Sequence, residues 1–322
     1  MQSKILQLPK IDLHCHLDGS LSLGLVRSIL NRDVQLHELQ AADDCKSLAE
    51  YLQKFDLPLE CFMTADGLRR GSYDFIEQVA AENVKYIEVR FAPQLCTKKG
   101  LNCSDVIENV LRGLEEGRQK FGVDYQVITC AMRHRPEENN YEMFCAAKEF
   151  YGKGVCALDL AGDEASFPAA QFASLFEKAK QLGMPFIMHA GECGSVENII
   201  TSVHMGAKRI GHGIAMRGHA EAKQLCKERG IGIEVCPISN QQTKAVPVGE
   251  VHPIREFLED GLLVTLNTDN RTVSNTSITR EIQHVQANFG VTDEDIMQMY
   301  KNAIEVSFAD EAMKANMRKW YQ

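Results

Sequence analysis

Two histidines occupy alternate positions near the start of the chain, in the stretch IDLHCHLDGS of residues 11–20. If this stretch ends a β-strand, the side chains of His14 and His16 point the same way, because successive strand residues face opposite sides. Two imidazoles side by side at a strand end supply half of the ligands of a metal site. The other half must come from elements later in the chain.

Short runs rich in β-branched residues alternate with helical patterns along the sequence. The predicted strands cover residues 10–16, 84–91, 125–131, 155–160, 185–189, 209–212, 231–236 and 262–267. Strands that alternate with helices form a parallel sheet, and these units predict an α/β fold closed into a (β/α)8 TIM-type barrel. An open doubly wound sheet is the alternative, but no GxGxxG motif follows the first strand.

Two segments are longer than the barrel repeat requires. Residues 21–80 predict extra helices between strands one and two, and residues 293–322 predict helices that close the barrel. Ser104 is predicted to cap the helix that follows strand two. No linker rich in Pro, Gly or Ser interrupts the chain, so residues 1–322 are predicted to form a single domain.

An apolar stripe lies within the first of these long segments. Its members Leu48, Tyr51, Leu52 and Phe55 follow the i, i+3, i+4, i+7 spacing of one helix face. Such a stripe packs either into the core or over a pocket as a lid.

Polar residues stand at the carboxyl ends of the predicted strands, where TIM barrels place their active sites. In chain order these residues are His14, His16, Asp18, Gly162, His189, Glu192, His212, Asp269 and Asn270. If such a cluster of imidazoles and carboxylates were buried without a metal, many of its polar atoms would lack hydrogen-bond partners. Three imidazoles and one carboxylate suit zinc and tolerate iron, cobalt or nickel. One metal ion is predicted rather than two, since no lysine stands at the end of strand four to bridge a pair.

A metal with an open coordination position lowers the pKa of a bound water to about 7. Glu192 and His212 stand where an acid and a base would complete that chemistry, which is attack of water on a C=N or C=O carbon. Two other interpretations stay open. Glu192 could be the first-turn acid of the next helix, and His212 could be a fifth ligand.

Composition excludes several classes of partner. The formal net charge of −9 opposes binding to nucleic acid or to an anionic membrane surface. Residues 1–10 lack the apolar core of a signal peptide, and no apolar run approaches the roughly 20 residues of a membrane span. The 11 scattered cysteines indicate reduced, buried thiols in a cytoplasmic protein.

Six motifs in order give the chain a specific resemblance to the adenosine deaminase family of the metal-dependent amidohydrolase superfamily. They are HCHLDG at 14–19, DLAGDE at 159–164, HAGE at 189–192, GHG at 211–213, CPIS at 236–239 and NTD at 267–269. The resemblance implies a (β/α)8 barrel. It also implies hydrolytic deamination of adenosine and 2′-deoxyadenosine to inosine and deoxyinosine with release of ammonia, a reaction of purine salvage.

The resemblance also implies roles for the strand-end residues. One zinc ion would be held by His14, His16, His189 and Asp269. Glu192 would protonate purine N1. His212 would orient and deprotonate the water. Gly162 and Asp18 would contact the purine and the ribose hydroxyl.

Two positions bear on the choice of substrate. Adenine-specific relatives typically carry Glu where this chain has Asp18, and an anionic group there suits a ribose and repels a 5′-phosphate. Asn270 replaces the aspartate that the family often uses at purine N7, and its amide can donate the same hydrogen bond. The apolar stripe 48–55 matches the family's gate over the pocket. The alternatives are a deaminase of adenine or of a modified adenosine such as aminofutalosine, and a metal-binding module without catalysis.

Overall fold

The computed structural model describes residues 4–42, 45, 47–193 and 195–321, and its strands form a barrel. They are β1 (Lys10–His16), β2 (Val84–Phe91), β3 (Asp124–Met132), β4 (Val155–Ala161), β5 (Met188–Ala190), β6 (Arg209–His212), β7 (Gly232–Val235) and β8 (Leu263–Leu266). Paired neighbours run parallel and follow chain order in two four-stranded groups, β1–β4 and β5–β8.

Two seams join these groups into a closed barrel. Between β4 and β5, the Ile187 amide donates to the Leu158 carbonyl at 2.9 Å. Between β8 and β1, the Asp269 amide donates to the His14 carbonyl at 2.8 Å, and the His16 amide donates to the Asp269 carbonyl at 2.6 Å. The predicted TIM-type barrel is confirmed. The second seam places His14, His16 and Asp269 next to one another through their backbones.

The strand that departs most from prediction is β5. It begins at Met188, whereas the sequence pattern predicts a start at residue 185. Pro185 has no amide hydrogen, so it contributes only its carbonyl, which accepts from the Leu158 amide at 3.0 Å.

Helices cover the outside of the barrel and fill the two long segments. They are α1 (Leu23–Leu30), α2 (Leu36–Leu39), α3 (Leu48–Leu52), α4 (Asp56–Cys61), α5 (Ala65–Ala80), α6 (Cys103–Phe121), α7 (Glu137–Glu149), α8 (Ala173–Gln181), α9 (Val196–Met205), α10 (Ala220–Arg229), α11 (Pro237–Gln242), α12 (Ile254–Glu259), α13 (Ile278–Phe289), α14 (Asp293–Val306) and α15 (Glu311–Arg318). The extra helices between β1 and β2 and at the carboxyl end are therefore present as predicted, and α14 packs against β7, β8 and β1.

The start of α6 lies two residues before the predicted one. Asn102, not Ser104, caps this helix: its side chain accepts from the Asp105 amide at 2.9 Å, and the Asp105 carboxylate accepts from the Asn102 amide. This reciprocal capping box satisfies two backbone amides at the helix start, which a cap at Ser104 would leave exposed.

Two further features of the described residues bear on the sequence-based expectations. The cysteines are unpaired, and all except Cys145 and Cys193 are buried. Among the described helices, none combines the length and the apolar character needed to cross a membrane.

Candidate active site

Four side chains direct their donor atoms toward one point at the carboxyl end of the barrel. The Nε2 atoms of His14 and His16 lie 3.4 Å and 3.5 Å from Oδ1 of Asp269. The Nε2 atom of His189 lies 3.2 Å from that of His16. Three rings and one carboxylate from β1, β5 and the β8 end thus meet as the sequence predicts.

These residues fit a metal ion. The Nε2 atom of His14 is buried and has no hydrogen-bond partner among the described residues, which would be unfavourable if nothing bound there. Burial alone would raise the pKa of Asp269, but the neighbouring histidines, His14 above all, outweigh burial and hold this pKa well below its usual range. A carboxylate ion surrounded by imidazole nitrogens is a typical donor set for a transition metal.

Buried carboxylates hold the outer nitrogens of two of the rings. The Nδ1 atom of His14 lies 2.8 Å from Oε2 of Glu234, and the Nδ1 atom of His189 lies 3.0 Å from Oδ2 of Asp159. A carboxylate can only accept, so each Nδ1 carries the hydrogen and each Nε2 keeps its lone pair for a metal.

Arg90 joins these two carboxylates beneath the metal site. Its guanidinium donates to Asp159 at 3.1 Å and to Glu234 at 2.9 Å, and all three side chains are fully buried. Arg209 donates to the other oxygen of Glu234 at 2.5 Å. Burial alone would raise the pKa values of Asp159 and Glu234. The attraction of Arg90 and of the histidine that each carboxylate faces outweighs burial, so both pKa values are lower than usual.

Glu192 lies beside the ring cluster as a buried carboxyl group. Its Oε2 atom is 3.6 Å from Nε2 of His212. Burial, followed by the nearby charges of Asp269 and Glu164, raises the pKa of Glu192 to about 8. Glu192 therefore holds a proton at neutral pH. It lies outside α9, which begins at Val196, so the interpretation as a first-turn acid is wrong.

Glu164 fixes the backbone that carries Glu192. Its two carboxylate oxygens accept from the amides of Gly191, Glu192 and Cys193 at 2.6, 2.9 and 3.1 Å. Three consecutive amides bound to one buried carboxylate set the direction in which the Glu192 side chain leaves the chain.

Two site residues adopt left-handed backbone conformations. His212 has a φ of 66° and Asp269 a φ of 58°, at the ends of β6 and β8. Non-glycine residues rarely adopt such angles, and they are typical of functional sites. With this backbone conformation, the side chains of His212 and Asp269 both line the cavity. The His212 ring centroid lies 4.9 Å from that of His14 and 5.2 Å from that of His189.

A cavity of about 380 Å³ opens directly above the ring cluster. This volume lies in the range of small-molecule sites. Every predicted site residue lines the cavity except His14, which lies against its floor: His16, Asp18, Leu48, Tyr51, Leu52, Phe55, Gly162, His189, Glu192, His212, Asp269 and Asn270.

Asp18 and Asn270 both line this cavity. Each has an Oδ1 atom that is buried and without a hydrogen-bond partner among the described residues. Burial raises the pKa of Asp18 to about 7. Gly19 packs directly against Asn270, and a Cβ atom at that position would come within 1.9 Å of Asn270 Oδ1. A residue without a side chain is therefore required next to Asp18.

The apolar stripe forms the roof of the cavity. Tyr51 is only 1% exposed and belongs to a small apolar cluster with Cys45 and Val273, separate from the main core. Its hydroxyl lies 2.5 Å from Oγ of Ser274. The stripe thus covers the pocket and packs against the segment that follows Asp269.

The sequence pattern did not assign roles to Arg90, Glu234 and Glu164. A usable signal was present for the first two, since each is a charged residue inside an apolar strand run, VKYIEVRF and IGIEVC. The position of Glu164 in the DLAGDE motif gave no indication of its partner, because the bound amides lie 27 to 29 residues further along the chain.

Comparison with known proteins identifies the family. The adenosine deaminase family model matches residues 9–320. The chain belongs to the adenosine deaminase family. An adenosine deaminase of Clostridium botulinum (strain Hall) is 42% identical over 326 residues, which cover 98% of this chain and 97% of that protein.

Solved structures share the fold at lower identity. An adenine deaminase from Arthrobacter aurescens superposes with a TM-score of 0.87 at 22% identity and covers 98% of each chain. An amidohydrolase from Burkholderia ambifaria, solved with bound zinc, superposes with a TM-score of 0.86 at 23% identity and covers 98% of this chain and 90% of that one. These likenesses concern the barrel itself.

Proposed function

We propose that this protein is a zinc-dependent hydrolase that deaminates adenosine and 2′-deoxyadenosine to inosine and deoxyinosine, releasing ammonia. The observation that carries the proposal is the buried carboxyl group of Glu192, which lies beside a cluster of imidazoles and Asp269 on the floor of a cavity of about 380 Å³. Relatives 42% identical over nearly the whole chain carry the name adenosine deaminase. We also propose that residues 1–322 form one domain, since the family model spans residues 9–320.

The metal would be held by His14, His16, His189 and Asp269. When bound, zinc supplies Lewis-acid activation of a water nucleophile at neutral pH. The chain contributes the fixed geometry, because Glu234 and Asp159 keep the Nε2 lone pairs of His14 and His189 available.

Glu192 would act as the proton donor. Donation to purine N1 draws electron density from C6 and makes that carbon open to attack by water. The water oxygen bonds to C6, and of its two protons one would return to Glu192 and the other would pass to N6. The C6–N6 bond then breaks, N6 leaves as ammonia, and the product keeps its proton on N1. His212 lies beside Glu192 and would orient the attacking oxygen and stabilise the charge that develops there.

Asp18, Gly162 and Asn270 would bind the nucleoside. Asp18 lines the cavity and has a carboxylate oxygen without a hydrogen-bond partner among the described residues, which suits a ribose hydroxyl. Gly162 has a φ of 105°, a conformation that exposes backbone to a flat ligand without a side chain in the way. The amide of Asn270 can donate to N7.

The closing experiment is a deamination assay with adenosine, 2′-deoxyadenosine, adenine and AMP, together with metal analysis of the same sample. We expect turnover of the two nucleosides and one zinc ion per chain. Zinc-loaded protein that leaves both nucleosides unchanged would exclude the proposal. Preferred turnover of adenine would favour the activity named for the Arthrobacter aurescens protein.

A further inference from the structure

Two buried side chains extend from His212 away from the cavity. The Nδ2 atom of Asn240, on α11, lies 2.9 Å from Nδ1 of His212. The Oδ1 atom of Asn240 lies 3.2 Å from Nε2 of His252, which precedes α12. Each of the three side chains is at most 1% exposed. Neither Asn240 nor His252 lines the pocket or belongs to the metal site.

Two backbone amides determine the direction of every hydrogen bond in this row. The Cys236 amide lies 3.3 Å from Oδ1 of Asn240, and the Ile254 amide lies 3.1 Å from Nδ1 of His252. A backbone amide only donates, so the Asn240 atom that faces Cys236 must be oxygen. For the same reason His252 accepts at Nδ1, carries its hydrogen at Nε2 and donates to Asn240.

The remaining atom of Asn240 is therefore its NH2 group, which faces His212. Because this group only donates, Nδ1 of His212 must accept. The neutral His212 ring then carries its hydrogen at Nε2, the nitrogen that lies 3.6 Å from Glu192.

This arrangement is the reverse of that found for two of the neighbouring rings. His14 and His189 face carboxylates with Nδ1, so their Nε2 atoms carry lone pairs. His212 faces an amide donor with Nδ1, so its Nε2 atom carries a hydrogen. The group that faces Nδ1 thus decides the role of each ring: a carboxylate leaves Nε2 free to bind a metal, whereas an amide donor leaves Nε2 with a hydrogen to donate.

We propose that Asn240, oriented by His252, is a positioning residue that holds His212 in the Nε2–H tautomer. His212 then donates a hydrogen bond to the oxygen that attacks C6, and neither accepts a proton from it nor serves as a fifth metal ligand. The part of this statement that concerns the attacking oxygen rests on the proposed deaminase function, whereas the tautomer does not.

The tautomer can be measured directly in the zinc-loaded protein. Nitrogen-15 NMR of protein labelled in the histidine rings separates protonated from unprotonated ring nitrogens, and comparison with His212→Gln assigns the signals. We expect hydrogen at Nε2 of His212 and at Nδ1 of His14 and His189. Hydrogen at Nδ1 of His212 overturns the proposal. This spectrum needs no turnover, so it decides the tautomer even if no nucleoside is deaminated.

Asn240→Asp tests the consequence for catalysis. The change keeps the shape and the acceptor for Cys236 and His252 but replaces the donor that faces His212 by an acceptor. We expect the hydrogen to move to Nδ1 and kcat to fall about 100-fold or more, as wrong tautomers and lost oxyanion donors do elsewhere. KM should stay within about threefold, since the pocket lining is unchanged.

The matched control is Asn302→Asp, the same change at another buried asparagine. Asn302 donates to the Val264 carbonyl at 2.9 Å, and it does not line the pocket. Its kcat should stay within about twofold of wild type. If Asn240→Asp moves the hydrogen and yet matches this control in kcat, the catalytic role of the tautomer is wrong.

His252 offers a second pair of variants if Asn240→Asp does not fold. His252→Leu removes the donor to Asn240 Oδ1, and His252→Gln can restore it through its amide. We expect a fall in kcat of about fivefold in the first and recovery in the second, since Cys236 still holds Asn240 in both. Equal kcat in both variants contradicts the role of His252.

Discussion

The floor and the roof of the cavity are built on different principles. The floor comprises His14, His189 and the charged residues beneath them, Glu234, Asp159 and Arg90, all on barrel strands. Its charged groups are fully buried, and each meets a partner of opposite charge. The roof comprises the apolar stripe 48–55, which is partly exposed and packs in a cluster outside the main core.

The floor thus serves the chemical reaction, and the roof serves the entry of the substrate. Metal ligands and proton donors must be held within about 0.5 Å of a working geometry, and barrel strands with paired charges hold them there. A substrate must also enter, and a small apolar cluster with few contacts to the core opens at lower free energy than the barrel. The comparison predicts that changes in the floor alter kcat and metal binding, whereas changes in the roof alter KM.

The largest effect is expected at the edge of the floor, for Glu192→Gln. The amide keeps the shape of the side chain but cannot transfer a proton, so kcat should fall by about 10³-fold. Zinc content should not change, because Glu192 is not among the proposed ligands. Steady-state kinetics and metal analysis on one sample measure both. Turnover within about tenfold of wild type would remove Glu192 as the proton donor.

The second effect distinguishes two equally buried glutamates. Glu234 is ionised, because its arginine partners lower its pKa, whereas burial raises the pKa of Glu281 to about 8 and keeps it protonated at neutral pH. Glu234→Gln leaves Arg90 and Arg209 short of negative charge. The free energy of unfolding should fall by about 3–5 kcal/mol and zinc affinity by about 10–100-fold.

Glu281→Gln is the matched control for that change. A neutral amide replaces a neutral acid, so both quantities should stay close to wild type. Denaturant unfolding and zinc titration with a chelator give the two measurements. If both variants lose zinc equally, the Arg90-centred network is not what holds the ligands.

The polar rim was largely predictable from the sequence, whereas its supporting residues were not. Parallel strands bring their carboxyl ends to one edge, so His14, His189 and Asp269 could be placed together from strand order alone. The contact between Arg90 and Glu234 joins residues separated by 144 positions and depends on side-chain reach across the barrel. The spacing of residue types along the sequence gives no indication of such a contact. The same holds for Asn240, whose effect depends on which of its atoms faces His212.

The third effect is a loss of activity at high pH. Because the pKa of Glu192 is raised to about 8, its proton-donating form is present below that pH and is lost as the pH rises through it. We expect kcat/KM to decline above pH about 8 by up to tenfold per unit. A profile of kcat/KM against pH, with circular dichroism to confirm folding at each pH, provides the measurement. If kcat/KM stayed constant up to pH about 10, the loss of a proton from Glu192 would not limit activity in this range.

The smallest effect is expected in the roof, for Tyr51→Phe. The change removes the hydrogen bond to Ser274 and keeps the ring in its apolar cluster. A neutral hydrogen bond contributes about 1 kcal/mol, so KM for adenosine should rise by about threefold to fivefold while kcat changes little.

Tyr300→Phe controls for the loss of a buried hydroxyl as such. The Tyr300 hydroxyl has no hydrogen-bond partner within the described ranges, and this residue does not line the active-site cavity. Its removal should leave KM unchanged. If Tyr51→Phe instead lowers kcat with KM unchanged, the hydroxyl acts on the reacting groups through Ser274 and the segment after Asp269. The roof would then belong to the chemistry, and its separation from the floor would fail.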